Sequence, residues 1–172
     1  MALEIRVVRA DYASPIHAAA LLALLDAYAL DQMGGGEGLS DFAKARLVSS
    51  LAARSQAFSV LAFVGADEST PVGLINCIEG FSTFACKPLI NVHDVAVLST
   101  YRGVRIGERM LEMVESIARE RGACKLTLEV LSGNAGAVKL YERVGFGNYS
   151  LGATMGTANF MQKWLEGSHC GF

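Results

Sequence analysis

Two stretches of this chain place chemistry-bearing residues at spacings that matter. Residues 93–114, HDVAVLSTYRGVRIGERMLEMV, begin as a strand and end as an amphipathic helix, and the turn between them carries Arg102, Gly103, Arg105 and Gly107. A helix N-terminus exposes N–H groups without intrahelical partners and carries a partial positive charge. Glycines just ahead of it let the chain approach an anion closely. The turn therefore reads as a phosphate cradle or as a plain strand-to-helix connection. It has neither the GxGxxG of dinucleotide sites nor the Gly-Lys-Ser/Thr of nucleotide triphosphate sites. On the strand ahead of it stand His93 and Asp94. An imidazole with an unperturbed pKa of about 6.5 is suited to taking a proton near neutral pH. His93 is either such a base or a residue hydrogen-bonded within the sheet. Asp94 is the next candidate, as base or as a group that orients a charged substrate, with Glu79 and Glu129 more remote. In NAGAVKLYERV (134–144), Asn134 and Tyr141 are seven positions apart, which a helix brings to one face. Tyr141 is then either a proton donor or a core aromatic packed beside Phe146.

The elements that must position these residues follow from periodicity. LEIRVVRA (3–10) alternates as a half-buried strand. SPIHAAALLALLDAYAL (14–30) opens with Ser14 as N-cap and Pro15 at the first helical position. DQMGGGEG (31–38) reads as a mobile loop, since its glycines follow a helix and lack the phosphate-loop lysine. A second helix (40–55), a hairpin of strands 57–66 and 71–84, and a fourth strand (88–99) come next. Helix 104–121 stops at Gly122, strand 124–131 follows, and helix 134–144 stops at Gly145. FGNYSL and TANFMQKWL read as two last strands. On strand 88–99, strict alternation puts Asn91, His93, Val95 and Val97 on one face and Val92, Asp94 and Ala96 on the other.

Composition narrows the class. The chain has 172 residues, 52% hydrophobic and 19% charged, which suits one folded domain over 1–172. Its 15 basic and 17 acidic residues leave no electrostatic footprint for nucleic acid or an anionic membrane. Four cysteines without paired spacing argue against a structural metal. The N-terminal MALEIRVVRA lacks the pattern of a signal peptide, and 16–30 is too short to span a bilayer, so a soluble cytoplasmic protein with reduced thiols is expected.

VAVLSTYRGVRIGERML followed by NAGAVKLYERVGFG resembles the GNAT family of N-acetyltransferases. The family's first signature is Arg or Gln, two residues, Gly, one residue, then Gly or Ala; its second is Asn, several residues, then Leu-Tyr-x-x-x-Gly-Phe. The resemblance implies an α/β acyl-CoA N-acyltransferase fold, a mixed sheet of six to seven strands with about four helices. It implies acetyl-CoA as co-substrate and no metal. Backbone amides of Gly103, Val104, Arg105, Ile106 and Gly107 would hold the pyrophosphate, with Arg102 and Glu108 also among the cofactor-binding residues. The strand edge at Val95, Ala96 and Val97 would pair with the pantetheine arm, which Asn134 also binds, and the Val97 N–H would polarise the thioester carbonyl. Tyr141 would protonate the leaving thiolate, and His93 stands where the similar polyamine acetyltransferases carry a proposed base. An acceptor site built from Tyr28, Asp31 and Phe84 would take a small-molecule or protein amine. A homodimer through the late strands is common in similar proteins. Arg105 departs from the signature, which expects glycine there: its side chain would crowd the phosphates, fold outward, or bind a phosphate itself. A non-catalytic acyl-CoA sensor is the alternative, and retention of Tyr141 and Asn134 favours the enzyme.

Overall fold

A computed structural model of the chain describes residues 4–65, 67–152 and 154–165. They divide into two compact units, the first ending at Leu128 and the second beginning at Glu129. In the first, five strands lie in the order β1-β2-β3-β4-β5. These are β1 (Ile5–Arg9), β2 (Ala57–Val64), β3 (Thr70–Ser82), β4 (Lys87–Val97) and β5 (Leu126–Leu128). Neighbours are antiparallel except β4 and β5, which are parallel.

Helices cover both faces, and the sequence explains the division. Leu74 faces α1 (Pro15–Leu30), where Leu21, Leu24, Leu61, Phe63 and Ala96 complete a buried cluster. Its neighbour Gly73 points the other way, onto α3 (Ile106–Glu120): a Cβ there would lie 2.8 Å from Met110 Cε. Strand β2, AFSVLAFV, lies between two covered faces and is buried over seven of its eight residues, which accounts for its near-continuous apolar run. Helix α3 buries Ile106, Met110, Leu111, Val114, Ile117 and Ala118, a stripe at helical spacing. Each such fully buried aliphatic side chain contributes roughly 1.5–3 kcal/mol. Helix α2 (Asp41–Ala52) starts at the Ser40 cap, whose hydroxyl accepts from Ala43 N–H.

The second unit contains α4 (Ala135–Arg143), after which Gly145 takes a left-handed conformation, as expected. The two strands expected at 146–151 and 157–165 are a correction. Among the described residues, only an isolated bridge joins Ser150 to Thr157, so the observed sheet has five strands. Gly152 and Gly156 both adopt positive φ and turn the chain between the two segments. Leu151, Phe160, Met161 and Leu165, which made those segments look like strands, are exposed, and apolar content without a covering layer does not build a ladder. Strand β5 is also shorter than expected. The residues beyond 165, Cys170 among them, lie outside the described residues.

Candidate active site

The register of β4 against β3 determines which side chains meet. Asn76 pairs with Asp94, but the next residue, Cys77, pairs with Val92, so His93 is an extra residue bulged out of the ladder. One inserted residue reverses the alternation beyond it. The strict alternation expected along this strand is therefore corrected. Asp94 and Ala96 share a face with Asn91, whose partner is Ile78, on the α1 side. Val92, Val95 and Val97 share the α3 side, opposite Cys77, Ile75 and Gly73. His93 is exposed, with no hydrogen bond or ion pair to its ring among the described residues.

The other edge of β4 opens at the same place. Pairing with β5 covers only Ile90, Asn91 and Val92. Beyond the bulge, Leu98 N–H donates to Val72 C=O at 3.0 Å, so by alternation Ala96 also aims its main chain at β3. Val95 and Val97 aim theirs at the open edge. Ala96, expected to share in that edge, instead places a buried methyl in the core.

The turn after β4 answers the question that Arg105 raises. Arg105 is the N-cap of α3 at φ 63°, ψ 20°, in the left-handed region. A glycine adopts that conformation freely and an arginine at a cost, which explains why the signature expects glycine there. The side chain does not crowd the cradle. It is 77% exposed and leans on Glu108, its Nε 3.8 Å from Oε2. Glu108 also lies in the first turn, where a carboxylate is favoured by the helix dipole. The first helical bond at this end is Arg109 N–H to Arg105 C=O. The N–H groups of Gly103, Val104, Arg105, Ile106 and Gly107 have no acceptor among the described residues. Five open main-chain donors, at and just before a helix N-terminus, suit a diphosphate.

The Arg102 side chain is held by two contacts. Its Nε donates to Val97 C=O at 3.0 Å and its Nη2 to Asp31 Oδ2 at 2.9 Å. The guanidinium thus braces the end of β4 against the loop after α1. Asp31 caps a 3-10 turn, Gln32–Gly34, by accepting from Met33 N–H at 2.9 Å. The Met33 N–H, and then Arg102, hold its carboxyl below the ordinary range against the opposing effect of burial. The loop read as mobile is tied by further bonds: Gly34 N–H to Asp31 C=O, and Gly36 N–H to Ala29 C=O. Asp26 accepts from Leu39 N–H at 2.7 Å and pairs with Lys44 at 3.1 Å, so it pins the start of α2.

Tyr28 lies beside two of the other candidates. Burial, then the charges of Asp94 and Asp31, push its phenol above the usual value. Asp94 and Asp31 are thus close enough to Tyr28 for their charges to act on its phenol, and Asp94 lies on the α1 side of β4. Phe84 does not join them. It sits fully exposed in the hairpin between β3 and β4, and Lys87 alone is already about 20 Å along the ladder from Asp94. In the second unit, Asn134 is the N-cap of α4, its Oδ1 accepting from Ala137 N–H at 3.1 Å. Tyr141 is buried and meets Phe146 edge-on, with centroids 5.9 Å apart.

Three residues escaped the sequence reading. Tyr12 Oη and Ser59 Oγ lie 2.9 Å apart, Ser59 donates to Asn76 Oδ1 at 2.6 Å, and Asn76 Nδ2 donates to Asp94 Oδ2 at 2.9 Å. The available signal was a serine and an asparagine inside the apolar runs AFSVLAFV and VGLINCI. No group of three or more potential metal ligands occurs among the described residues.

Comparison with known proteins agrees with this geometry. The model of the "Acetyltransferase (GNAT) family" matches residues 20–146. Streptothricin acetyltransferase of Streptomyces lavendulae is 34% identical over 103 residues, 57% of this chain and 51% of that protein, so the match spans about half the length of that relative. Among solved structures, a probable acetyltransferase superposes with a TM-score of 0.77 at 20% identity, covering 94% of this chain and 99% of its own. An aminoglycoside N-acetyltransferase in complex with CoA superposes with a TM-score of 0.72 at 12% identity, covering 95% and 97%. The chain belongs to the GNAT acetyltransferase family.

Proposed function

We propose that this chain is an acetyl-CoA-dependent N-acetyltransferase that acetylates a primary amine by direct transfer. The observation that carries the reading is the set of open N–H groups at residues 103–107, next to a β4 edge left unpaired beyond Val92. Those donors suit the pyrophosphate, and the main-chain groups of Val95 with the N–H of Val97 suit the pantetheine amides as an added strand, the Val97 carbonyl being taken by Arg102.

Direct transfer needs a neutral amine, a stabilised oxyanion and a protonated leaving thiolate. The amine nitrogen attacks the thioester carbonyl carbon, and the Val97 N–H holds the developing oxyanion. As the C–N bond forms and the C–S bond breaks, the thiolate takes the Tyr141 phenolic proton. His93, exposed at the bulge, takes the proton that the nitrogen sheds. Asp94, with Asp31 and Tyr28 nearby, orients a cationic amine through charge. The relatives support an amine acceptor, since their names specify streptothricin and aminoglycosides.

The test is a panel of streptothricin, an aminoglycoside, spermidine and lysine, each with acetyl-CoA and a free-thiol readout. Thiol release that depends on at least one amine is expected. Acetyl-CoA binding by calorimetry without amine-dependent release would favour a cofactor sensor.

A further inference from the structure

We propose that Asn76, Ser59 and Tyr12 are positioning residues, a hydrogen-bond chain across β4, β3 and β2 that holds the Asp94 carboxylate in one orientation for the incoming amine. The proposal rests on the reading of Asp94 as the group that orients the acceptor.

The chain has one consistent polarity. An ionised carboxylate only accepts, so the Asn76 amide must turn its Nδ2 to Asp94 Oδ2 and its Oδ1 to Ser59. The Ser59 proton is committed to Asn76, so Ser59 Oγ accepts from the Tyr12 hydroxyl. Asp94 Oδ2 is thereby occupied from below, while Oδ1 accepts no hydrogen bond from the described residues and remains available to a ligand.

Stability alone does not account for these residues. Ser59 and Asn76 are the buried polar side chains among the described residues, at 0% and 4% exposure, and both belong to this one chain. Their strand neighbours Val60, Leu61, Leu74 and Ile75 are fully buried and apolar. A serine and an asparagine in that setting add desolvation cost that apolar side chains avoid. Every buried side-chain polar atom among the described residues nevertheless has a partner, so the network is fully satisfied. Such a network fixes geometry. It does not conduct protons, because passage through the Asn76 amide would require its imidic acid form. The role is therefore to orient a charge, and the bulge at His93 interrupts the β3–β4 ladder immediately before Asp94.

The experiment is a double-mutant cycle on the whole chain, using the panel amine with the highest turnover. Asn76→Leu is expected to lower kcat/KM for the amine by at least about 10-fold, mostly through the amine KM, with the acetyl-CoA KM within about two-fold of the parent. In an Asp94→Asn background the same substitution should cost little more, since it acts through Asp94. Ser59→Ala, which keeps Asn76 in place, should give a smaller loss of the same kind and serves if Asn76→Leu does not fold. Equal losses in both backgrounds, or a loss shared by the acetyl-CoA KM, would overturn the positioning role. An Asp94→Asn variant with parental kinetics would instead remove the reading of Asp94 beneath it.

Discussion

Arg105 shows how one side chain can depart from a signature and leave the site open. The position requires φ near +60°, which costs a non-glycine residue roughly 1–2 kcal/mol. The guanidinium meets that geometry by pointing into solvent beside Glu108, so the amides of 103–107 stay uncovered. Arg105→Gly removes the left-handed strain but gives the unfolded chain more freedom, about 0.5–1 kcal/mol in the opposite direction. The thermal midpoint should therefore hold or rise by a degree or two. Acetyl-CoA affinity by calorimetry should be at least that of the parent. A large loss of affinity would mean that the exposed guanidinium swings in to meet a phosphate.

At the scale of elements, the segment after α1 carries more constraint than its composition implies. Gly34 is buried against the end of α1, and a Cβ there would lie 1.8 Å from the Tyr28 carbonyl oxygen. Gly34→Ala must push the 3-10 turn away from the helix and loosen the Asp31–Arg102 brace. We expect a loss of about 1–3 kcal/mol in urea unfolding and a raised KM for the amine. Parental values for both would show that the turn adjusts without strain. This loop also marks where sequence reading ran out. Five strands, β5 with shorter bounds, and four helices were legible because their apolar residues recur at period two or 3.6 and their ends at Ser14, Gly122 and Gly145 carry the expected residue types. The loop's hydrogen bonds were not legible, since GGGEG has the same composition whether ordered or free. The bulge at His93 was equally hidden, because one extra residue leaves no trace in an apolar pattern yet moves Asp94 to the face of Asn91. The strand-to-helix turn at 102–107 was legible from spacing, but the brace formed by Arg102 depends on a contact 71 positions away along the chain.

At the scale of the whole molecule, no helix among the described residues is long and apolar enough to cross a membrane. The cysteines offer a direct measure of how firmly the sheet unit holds together. Cys77 lies on β3, fully buried on the face covered by α3, while Cys86 and Cys124 are exposed. Burial first, and then the charge of Asp94, push the Cys77 thiol far above its ordinary value, with Arg121 opposing. A thiol that is both inaccessible and unwilling to ionise reacts only when the strand opens. In a Cys170→Ser variant, iodoacetamide at pH 8 should label Cys86 and Cys124 within minutes and leave Cys77 unmodified until denaturant is added. The rate of Cys77 labelling should then follow the unfolding transition seen by circular dichroism. A ligand held by the turn after β4 binds the folded sheet only, so saturating acetyl-CoA should slow Cys77 labelling further in intermediate denaturant and leave Cys86 and Cys124 unchanged. Labelling of Cys77 at the exposed-thiol rate in buffer would mean that β3 opens locally, and the fixed geometry argued for Asn76 and Asp94 on that strand pair would not hold.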